Sequence, residues 1–577
     1  MSHEHGRSHG HEHHDQPTQH ANPAPEIDLS IPDKDLNPAQ RSRREFLRRV
    51  GALGAGASLA GVAFPTWPGY PGPHWDDRPA PDSLVWLAGD HHIHTQYSVD
   101  ARYRVSDHVA HAAQYGLDWM VITDHGRAAH EKVAIDRTLT DIVSARTAFP
   151  RTLVYQGLEW NIPGAEHGTV FVPPGPNEKS ILHYFEKNFD GVLLEQDGSL
   201  PGATRNDAAH EAKAIEAIRW LDQQIASGQT AAGLFLANHP SRRGLDSPHE
   251  FRGWIDASPR VTVGMEGAPG HQAAGIATAN LGPQAARGFY DFAPGPDSHP
   301  GYPLESYRTF GGFDWMTATV GGLWDSLLAE GRRFWITANS DSHAVYRDTL
   351  VRGGNPPGTT ADYDNPASPY FGDYGPPRDT GVVQAGNGDF WPGYYSRTWV
   401  GATARGYEAV MRAIGAGRMW VGHGDLIRQL DVRISGGEQL FGTTTLGGTA
   451  LVRRGDRVRL KIKITPATKP NFIGNIPVLR RVDLITGPIS GPNSDRDSFT
   501  APGAHVVESW EVKSNAHEIV LDYRFPRIQQ SFYLRLRGTD GNVSAPGSIE
   551  PRLDPLPVDP WTDLWFYSNP IFVEVRA

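Results

Sequence analysis

The chain has 577 residues, 39% of them hydrophobic and 16 of them tryptophan, so core material is ample and, at roughly 100–200 residues per domain, two or three domains are expected. The formal net charge is −11, from 54 basic and 65 acidic residues, with no basic stripe beyond an N-terminal arginine group, which argues against electrostatic capture of nucleic acid. There is no cysteine, which excludes disulfides, thiolate metal sites, a thiol nucleophile and a lipid-anchored N-terminal cysteine.

Residues 1–40 open with "MSHEHGRSHGHEHHD", in which His3, His5, His9, His11, His13 and His14 form a low-complexity tract. Such a composition binds metal weakly and cannot build a core, so disorder is expected there. Residues 41–64 read as a signal peptide: Arg43-Arg44 followed by Glu45-Phe46-Leu47 resembles the twin-arginine export motif, and a Gly/Ala-rich apolar run follows from Val50 to Ala63. That run is shorter than the roughly 20 residues a membrane span needs. Gly61 and Ala63 suit cleavage near Ala63. The expectations are an exported protein, periplasmic or extracellular, a transient partnership with the twin-arginine machinery, and no stable membrane insertion after cleavage. Residues 65–81 form a Pro/Trp/Gly-rich linker.

Residues 82–427 alternate apolar runs with helical patterns. "VSDHVAHAAQYG" predicts a helix with Ser106 as N-cap, Val109, Ala112 and Ala113 on one face and Gly116 as its stop. "LDWMVIT" predicts a buried strand, and "NDAAHEAKAIEAIRWLDQQIASG" and "YEAVMRAIGAG" predict further helices. Such alternation over this length predicts a parallel α/β sheet or barrel. Asp348 to Tyr395 is a long Gly/Pro/Asp/Tyr-rich segment; loops of that length are usually functional or disordered, and its position just after a candidate site suits a substrate-facing role. In residues 428–577 the period changes to two. "VRLKIKIT" places Val458, Leu460, Ile462 and Ile464 on one side and Arg459, Lys461 and Lys463 on the solvated other, which predicts a β-sandwich of immunoglobulin-like architecture.

The chemistry concentrates at strand ends. In "WLAGDHHIHT", His92 and His94 are two apart and so project together from an extended chain, while His91 faces away. "WMVITDH" ends in Asp124-His125, "TLVYQGLE" in Glu159, "GLFLANHP" in His239, "VTVGMEG" in Glu266, and "RFWITANSDSH" in Asp341 and His343. In a parallel barrel the C-terminal strand ends gather on one face, so these groups would meet there. Imidazoles and carboxylates suit zinc, manganese or iron, and a bound ion lowers the pKa of water from about 15.7 to about 7.

These motifs resemble the PHP (polymerase and histidinol phosphatase) superfamily. Asp90-His91-His92-Ile93-His94-Thr95 is similar to its first motif, Asp100 to the ligand six residues beyond, "ITDHG" to the second motif, "GLEWN" to the bridging glutamate, and "EHGTVFV", "NHP" and "NSDSH" to later ones. The resemblance implies a distorted (β/α)7 TIM-like barrel followed by the all-β sandwich. It implies two or three divalent ions held by His92, His94, Asp100, His125, Glu159, His167, His239, Asp341 and His343. The export signal and "YSNPIFV" are similar to the carbaryl hydrolase branch of that superfamily.

A metal-dependent hydrolase of a small-molecule ester is therefore expected, phosphoester first, using a metal-activated hydroxide. Carbamate or carboxyl ester cleavage on the same ions is the alternative, and a non-catalytic secreted recognition protein is the alternative of another class. Nucleic acid enters only as a possible substrate. Glu159 is the candidate bridge, and Asp341 orients or deprotonates the attacking water. Arg242 and Arg243, with Arg127, are the candidate phosphate grips, because arginine binds phosphate through two parallel hydrogen bonds. Asp124 is a candidate support for an imidazole or else a structural carboxylate, and Glu266 a buried hydrogen-bonding group.

Overall fold

The apolar runs read as buried strands pair side by side in a computed structural model. It describes residues 79–275, 294–307, 309–354, 363–436, 442–471, 474, 476–512, 517–541 and 564–576. The histidine tract, the arginine motif and nearly all of the 65–81 linker lie outside them. Strands β1 (Val85–Asp90), β2 (Trp119–Ile122), β3 (Leu153–Asn161), β4 (His167–Phe171), β5 (Leu234–Ala237), β6 (Thr262–Ala268) and β7 (Trp335–Ala338) neighbour one another in chain order. Helices such as Ile135–Ala148, Glu178–Phe189, Ala208–Ala226 and Pro248–Ala257 intervene. Both faces of the sheet are covered, so β2 and β5 are buried along their whole length, as strands covered on two sides must be. The first two strands approach so closely that a Cβ on Gly89 would fall 1.9 Å from the Trp119 ring.

The sheet is mixed rather than uniformly parallel. β1, β2 and β3 run parallel, as do β5, β6 and β7, but β4 pairs antiparallel with both β3 and β5. Only residues 162–166 separate β3 from β4, whereas a parallel crossover needs about a dozen residues or more, so the chain turns back as a hairpin. The two ends of this run meet. Ile93, just past β1, forms a parallel bridge with Ser342, just past β7, and the His94 amide donates to the Ser342 carbonyl at 3.1 Å.

The helix read from "VSDHVAHAAQYG" spans Val105–Gln114. Its N-cap is Arg104, not Ser106: the Asp107 carboxylate accepts the Arg104 amide and closes the first turn, leaving Ser106 inside it. The buried stripe is Val105, His108, Val109 and Ala112, with Ala113 turned to solvent. Gly116, at φ 78°, stops the helix as expected.

Strands β8 (Ser396–Ala402) and β9 (Met419–His423) extend the sheet antiparallel beyond β1. The β-rich C-terminal region follows as β10 (Ile427–Gly436), β11 (Thr449–Arg453), β12 (Val458–Pro466), β13 (Arg481–Pro488), β14 (His505–Glu511), β15 (Ile519–Arg524), β16 (Phe532–Thr539), β17 (Trp565–Ser568) and β18 (Ile571–Arg576). β9 pairs with β17, so the sheet runs on into this region. A separate three-stranded sheet, β10-β12-β15, presents Leu460, Ile462 and Ile464 to Leu484, Leu536, Phe566 and Val573 of the long sheet in one buried cluster. The alternation of β12 is as expected: its apolar residues are buried while Arg459 and Lys461 are exposed.

A buried ion pair also ties this region to the first. Arg535 on β16 donates through Nε and Nη2 to Asp325 Oδ1 and Oδ2 at 2.9 and 2.8 Å. Asp325 sits in the helix Leu323–Ala329, and both side chains are fully buried.

Candidate metal centre

The sheet delivers every strand-end group to one place. After β1 the chain carries His92 and His94, whose Nε2 atoms lie 2.9 Å apart. His91 faces away, against the Thr169 and Thr337 hydroxyls, and burial lowers its imidazole to about 4. Glu159 lies within β3, two residues short of its end, and is the hub. Its Oε1 is 3.0 Å from His92 Nε2, 3.2 Å from His167 Nδ1 and 3.3 Å from His239 Nε2. Its Oε2 is 2.9 Å from His125 Nδ1 and 3.3 Å from His94 Nε2. Asp341 Oδ1 lies 3.1 Å from His92 Nε2 and 3.3 Å from His94 Nε2. Asp100 reaches in from the loop after His94, with Oδ2 3.0 Å from His125 Nε2 and Oδ1 3.6 Å from His343 Nε2.

Among the described residues five groups of donor atoms result: His92-His94-Glu159, with Asp341 beside it; His94-Asp100-His125-His343; His125-Glu159-His167; Glu166-His167-His239; and, at the rim, His271-His343-Asp389. Within each group the donor atoms lie within 4.8 Å of one another. The structure thus gathers all nine residues named as ligands from the sequence.

This arrangement fits divalent cations. His125 Nδ1, His167 Nδ1 and Asp341 Oδ1 are buried within 2.9–3.3 Å of opposite-type atoms yet make no hydrogen bond with them. Without an ion the charges balance one another: burial opposes protonation of the imidazoles, but the neighbouring carboxylates hold His92 well above the ordinary imidazole range and His125 at about 10, so a bound cation would take the place of those protons. Burial pushes the Glu159 carboxyl up, but the imidazoles of His167, His92, His125 and His94 outweigh it and hold the group well below the usual carboxylate range. Burial opposes ionisation of Asp341 and Asp100 too, and it is overcome by His92, His271 and His343 for the one and by His125 and His343 for the other. Burial, reinforced by His94, drops His343 to about 4. Anionic carboxylates among nitrogen donors suit zinc, manganese or iron.

The supports differ in part from the expected ones. Glu266 is buried and hydrogen-bonding, as read: Oε1 lies 2.7 Å from His92 Nδ1, fixing that imidazole from behind, and Oε2 accepts the His239 backbone amide at 2.7 Å, holding the turn that carries His239. Asp124 touches no imidazole. It accepts the Thr95 amide and hydroxyl at 2.6 and 2.9 Å, so it braces the turn after His94 and is the structural carboxylate of the two readings. Arg242 and Arg243 occupy the turn after His239, both half-buried, with Arg243 Nε 3.5 Å from Glu166 Oε1. Arg127 Nη1 is 3.8 Å from Asp364 Oδ2.

Four neighbours of the site were not named from the sequence. Asn238 donates to Glu159 Oε1 at 3.0 Å. His271 reaches Asp341 from one side and is itself met by Asp389 at its other ring nitrogen. Buried Arg352, in the long Asp348–Tyr395 segment, donates through Nη1 to the Ser98 carbonyl and, at 2.6 Å, to that of Ala101, on either side of Asp100. Each is a single residue outside any periodic pattern. Only the unusual length of the segment hinted at Arg352 and Asp389.

Residues 90–193 match the family model described as the PHP domain. This span carries His92, His94, Asp100, His125, Glu159 and His167. No curated protein matches the chain. Among solved structures, a two-domain protein from Bacteroides vulgatus, described as containing a predicted PHP-like metal-dependent phosphoesterase, is 14% identical, with 80% of this chain and 92% of that one covered at TM-score 0.28. A protein from Bifidobacterium adolescentis, provisionally described as a metal-dependent phosphoesterase, is 15% identical over 31% of this chain and 76% of its own, at TM-score 0.19. TM-scores this low carry no argument about arrangement. Among the described residues no helix is long and apolar enough to cross a membrane.

Proposed function

We propose that the protein is an exported, divalent-metal-dependent hydrolase of small-molecule esters, a phosphoesterase first, built on a PHP-type metal centre. The observation that carries this reading is the hub: two oxygens of Glu159 within 3.3 Å of five imidazoles that come from four separate segments. The PHP match over residues 90–193 supports the class, and the Arg43-Arg44 motif supports export. The carbaryl hydrolase-like branch is the finer placement, on the export motif and "YSNPIFV".

Bound divalent ions would supply Lewis acidity and water of lowered pKa. His92, His94, Glu159 and Asp341 would hold one ion, Asp100, His125 and His343 a second, and Glu159, His167 and His239 a third. Glu159 spans the first and third groups and so sets their separation. Asp341 Oδ1 faces the His92–His94 pair, and from there its carboxylate orients the attacking water and accepts its proton. Burial of the imidazoles excludes bulk water from their nitrogens and keeps them directed inward. Arg242 and Arg243, beside His239, supply the positive charge that a phosphate ester needs.

Metal analysis of the purified chain, coupled to a panel of phosphomonoesters, phosphodiesters, aryl carbamates and carboxyl esters, tests this, with His92→Ala as control. Two or three bound ions and phosphate-ester hydrolysis are expected, both lost or sharply reduced in the control. Hydrolysis of carbamates or carboxyl esters alone would replace the substrate assignment, and a metal-free wild type would end the metal reading.

Arg352→Met tests the long segment in the same way. Loss of the two carbonyl contacts loosens the Asp100 loop, whose carboxylate is 44% exposed and is otherwise held by the Ser98 hydroxyl at 2.8 Å and by His125. Affinity for one ion is expected to fall about 10- to 100-fold, as for other changes just behind a ligand. Unaltered metal titration would show that Asp100 is held without Arg352.

A further inference from the structure

His271 follows β6 in "GAPGHQ" and lies at the rim of the metal centre without belonging to its strand-end pattern. Two short contacts span its ring. Nδ1 is 2.5 Å from Asp389 Oδ1 and Nε2 is 2.6 Å from Asp341 Oδ2. We propose that Asp389 and His271 form a positioning dyad for the metal centre: the imidazole holds Asp341 Oδ2, so that Oδ1 stays aimed at the point it shares with His92 and His94. The proposal rests on the metal-centre reading above.

The two oxygens of Asp341 have separate partners. Oδ1 faces His92 and His94, and Oδ2 faces His271. A carboxylate free to rotate would exchange these roles, and a bond at Oδ2 prevents it. Asp389 in turn is buried, and its Oδ2 accepts the amides of His343 and Ala344, both at 2.7 Å. One carboxylate from the long segment therefore fastens the loop that carries Asp341 and His343 and, through Oδ1, orients the ring of His271.

The backbone around the dyad is built for this contact. Gly270 allows the two loops to touch, since a Cβ there would lie 2.1 Å from the Ser340 carbonyl oxygen and 2.3 Å from Asp341 Cβ. The His271 amide donates to the same carbonyl at 3.3 Å. His271 itself has φ 58°, and the described non-glycine residues with positive φ include His239 at 28° and Asp341 at 45°, both in the metal centre. Strained backbone of this kind persists where surrounding contacts over-determine it, commonly at functional sites. The side chain of His271 is 40% exposed, so burial of apolar surface does not account for its placement.

A purely structural brace and a positioning dyad predict different behaviour of two isosteres. The amide nitrogen of glutamine falls near the place of Nε2 and reaches Asp341. That of asparagine falls near Nδ1 and reaches only Asp389. The full chain, stripped of metal by a chelator, is titrated with Zn²⁺ or Mn²⁺, reading stoichiometry and dissociation constants. His271→Ala and His271→Asn are expected to weaken at least one ion about 10- to 100-fold, the range for a residue one bond behind a ligand. His271→Gln is expected to restore wild-type binding, which also shows that the position tolerates substitution. In an Asp341→Ala background, His271→Ala is expected to add nothing, because the pair acts as a unit.

Wild-type affinity in His271→Ala, equal rescue by Asn and Gln, rescue by neither, or full additivity with Asp341→Ala would each overturn the dyad. His92→Ala, run alongside, separates the two readings. If it loses metal while His271→Ala does not, only the dyad falls. If it binds metal like wild type, the metal centre itself is misassigned.

Discussion

Glu159→Gln is expected to strip tightly bound metal from the protein and to lower ester hydrolysis about a thousandfold or more, because the loss of several kcal/mol of transition-state stabilisation converts at about 1.36 kcal/mol per tenfold. The substitution preserves volume and removes one thing: a full negative charge shared by two acceptor oxygens. Oε1 stands within 3.3 Å of His92, His167 and His239, and Oε2 within 3.3 Å of His125 and His94. A glutamine offers one oxygen to one side and turns an N–H₂ group toward the other, where imidazole nitrogens must present lone pairs to a cation. It leaves the surrounding strands untouched, since the Glu159 backbone amide and carbonyl are occupied by Asp124 and Gly126. The variant should therefore fold and fail to bind metal. Elemental analysis and initial rates on the wild-type substrate check it, and a variant that retained the full metal complement would remove Glu159 from the hub.

Arg535→Ala is expected to destabilise the protein by about 3–5 kcal/mol, the usual cost of leaving one buried partner of an ion pair uncompensated. Asp325 would keep the Tyr533 hydroxyl at 2.9 Å and the Gly321 amide at 2.7 Å, but lose the two guanidinium bonds that balance its charge. Because the pair links β16 to the helix Leu323–Ala329, the first cooperative unit lost on heating should be the contact between the β-rich C-terminal region and the rest. Differential scanning calorimetry with limited proteolysis checks this. The double change Arg535→Met with Asp325→Leu is expected to recover part of the loss, since apolar groups of similar volume often replace a buried pair without penalty. Unfolding of Arg535→Ala at the wild-type temperature would show that the pair contributes little.

Much of the site was legible because its signals are local. His92 and His94 project together by the period-two rule, and His125, His239, Asp341 and His343 each follow an apolar run that could only be a buried strand. The same locality set the limits. Asp124 sits beside His125 in the sequence, yet its carboxylate turns to Thr95, because the closest unsatisfied donors are the amide and hydroxyl of a different loop. Ser106 had the chemistry of an N-cap, but Asp107 closes the turn one residue pair earlier. β4 entered only as the motif around His167 and was not read as a strand; its direction follows from the few residues between it and β3. The supports His271, Asp389 and Arg352 lie outside any repeat, and their partners are 45 to 254 positions away in the chain.

By itself the sequence determined which segments are strands, that their ends carry imidazoles and carboxylates, that thiolate chemistry is excluded, and that a β-rich region follows an α/β one. These depend on side-chain period and residue type, which neighbours in the chain already define. Only the tertiary structure decided that Glu159 is the hub, that β4 runs backward, that the long segment braces Asp100 through Arg352 and Asp341 through His271, and that one sheet continues through β9 and β17 into the C-terminal region. Those depend on which distant backbones come within hydrogen-bonding distance, and that is set by burying the whole apolar surface at once, a sum that no stretch of sequence contains on its own.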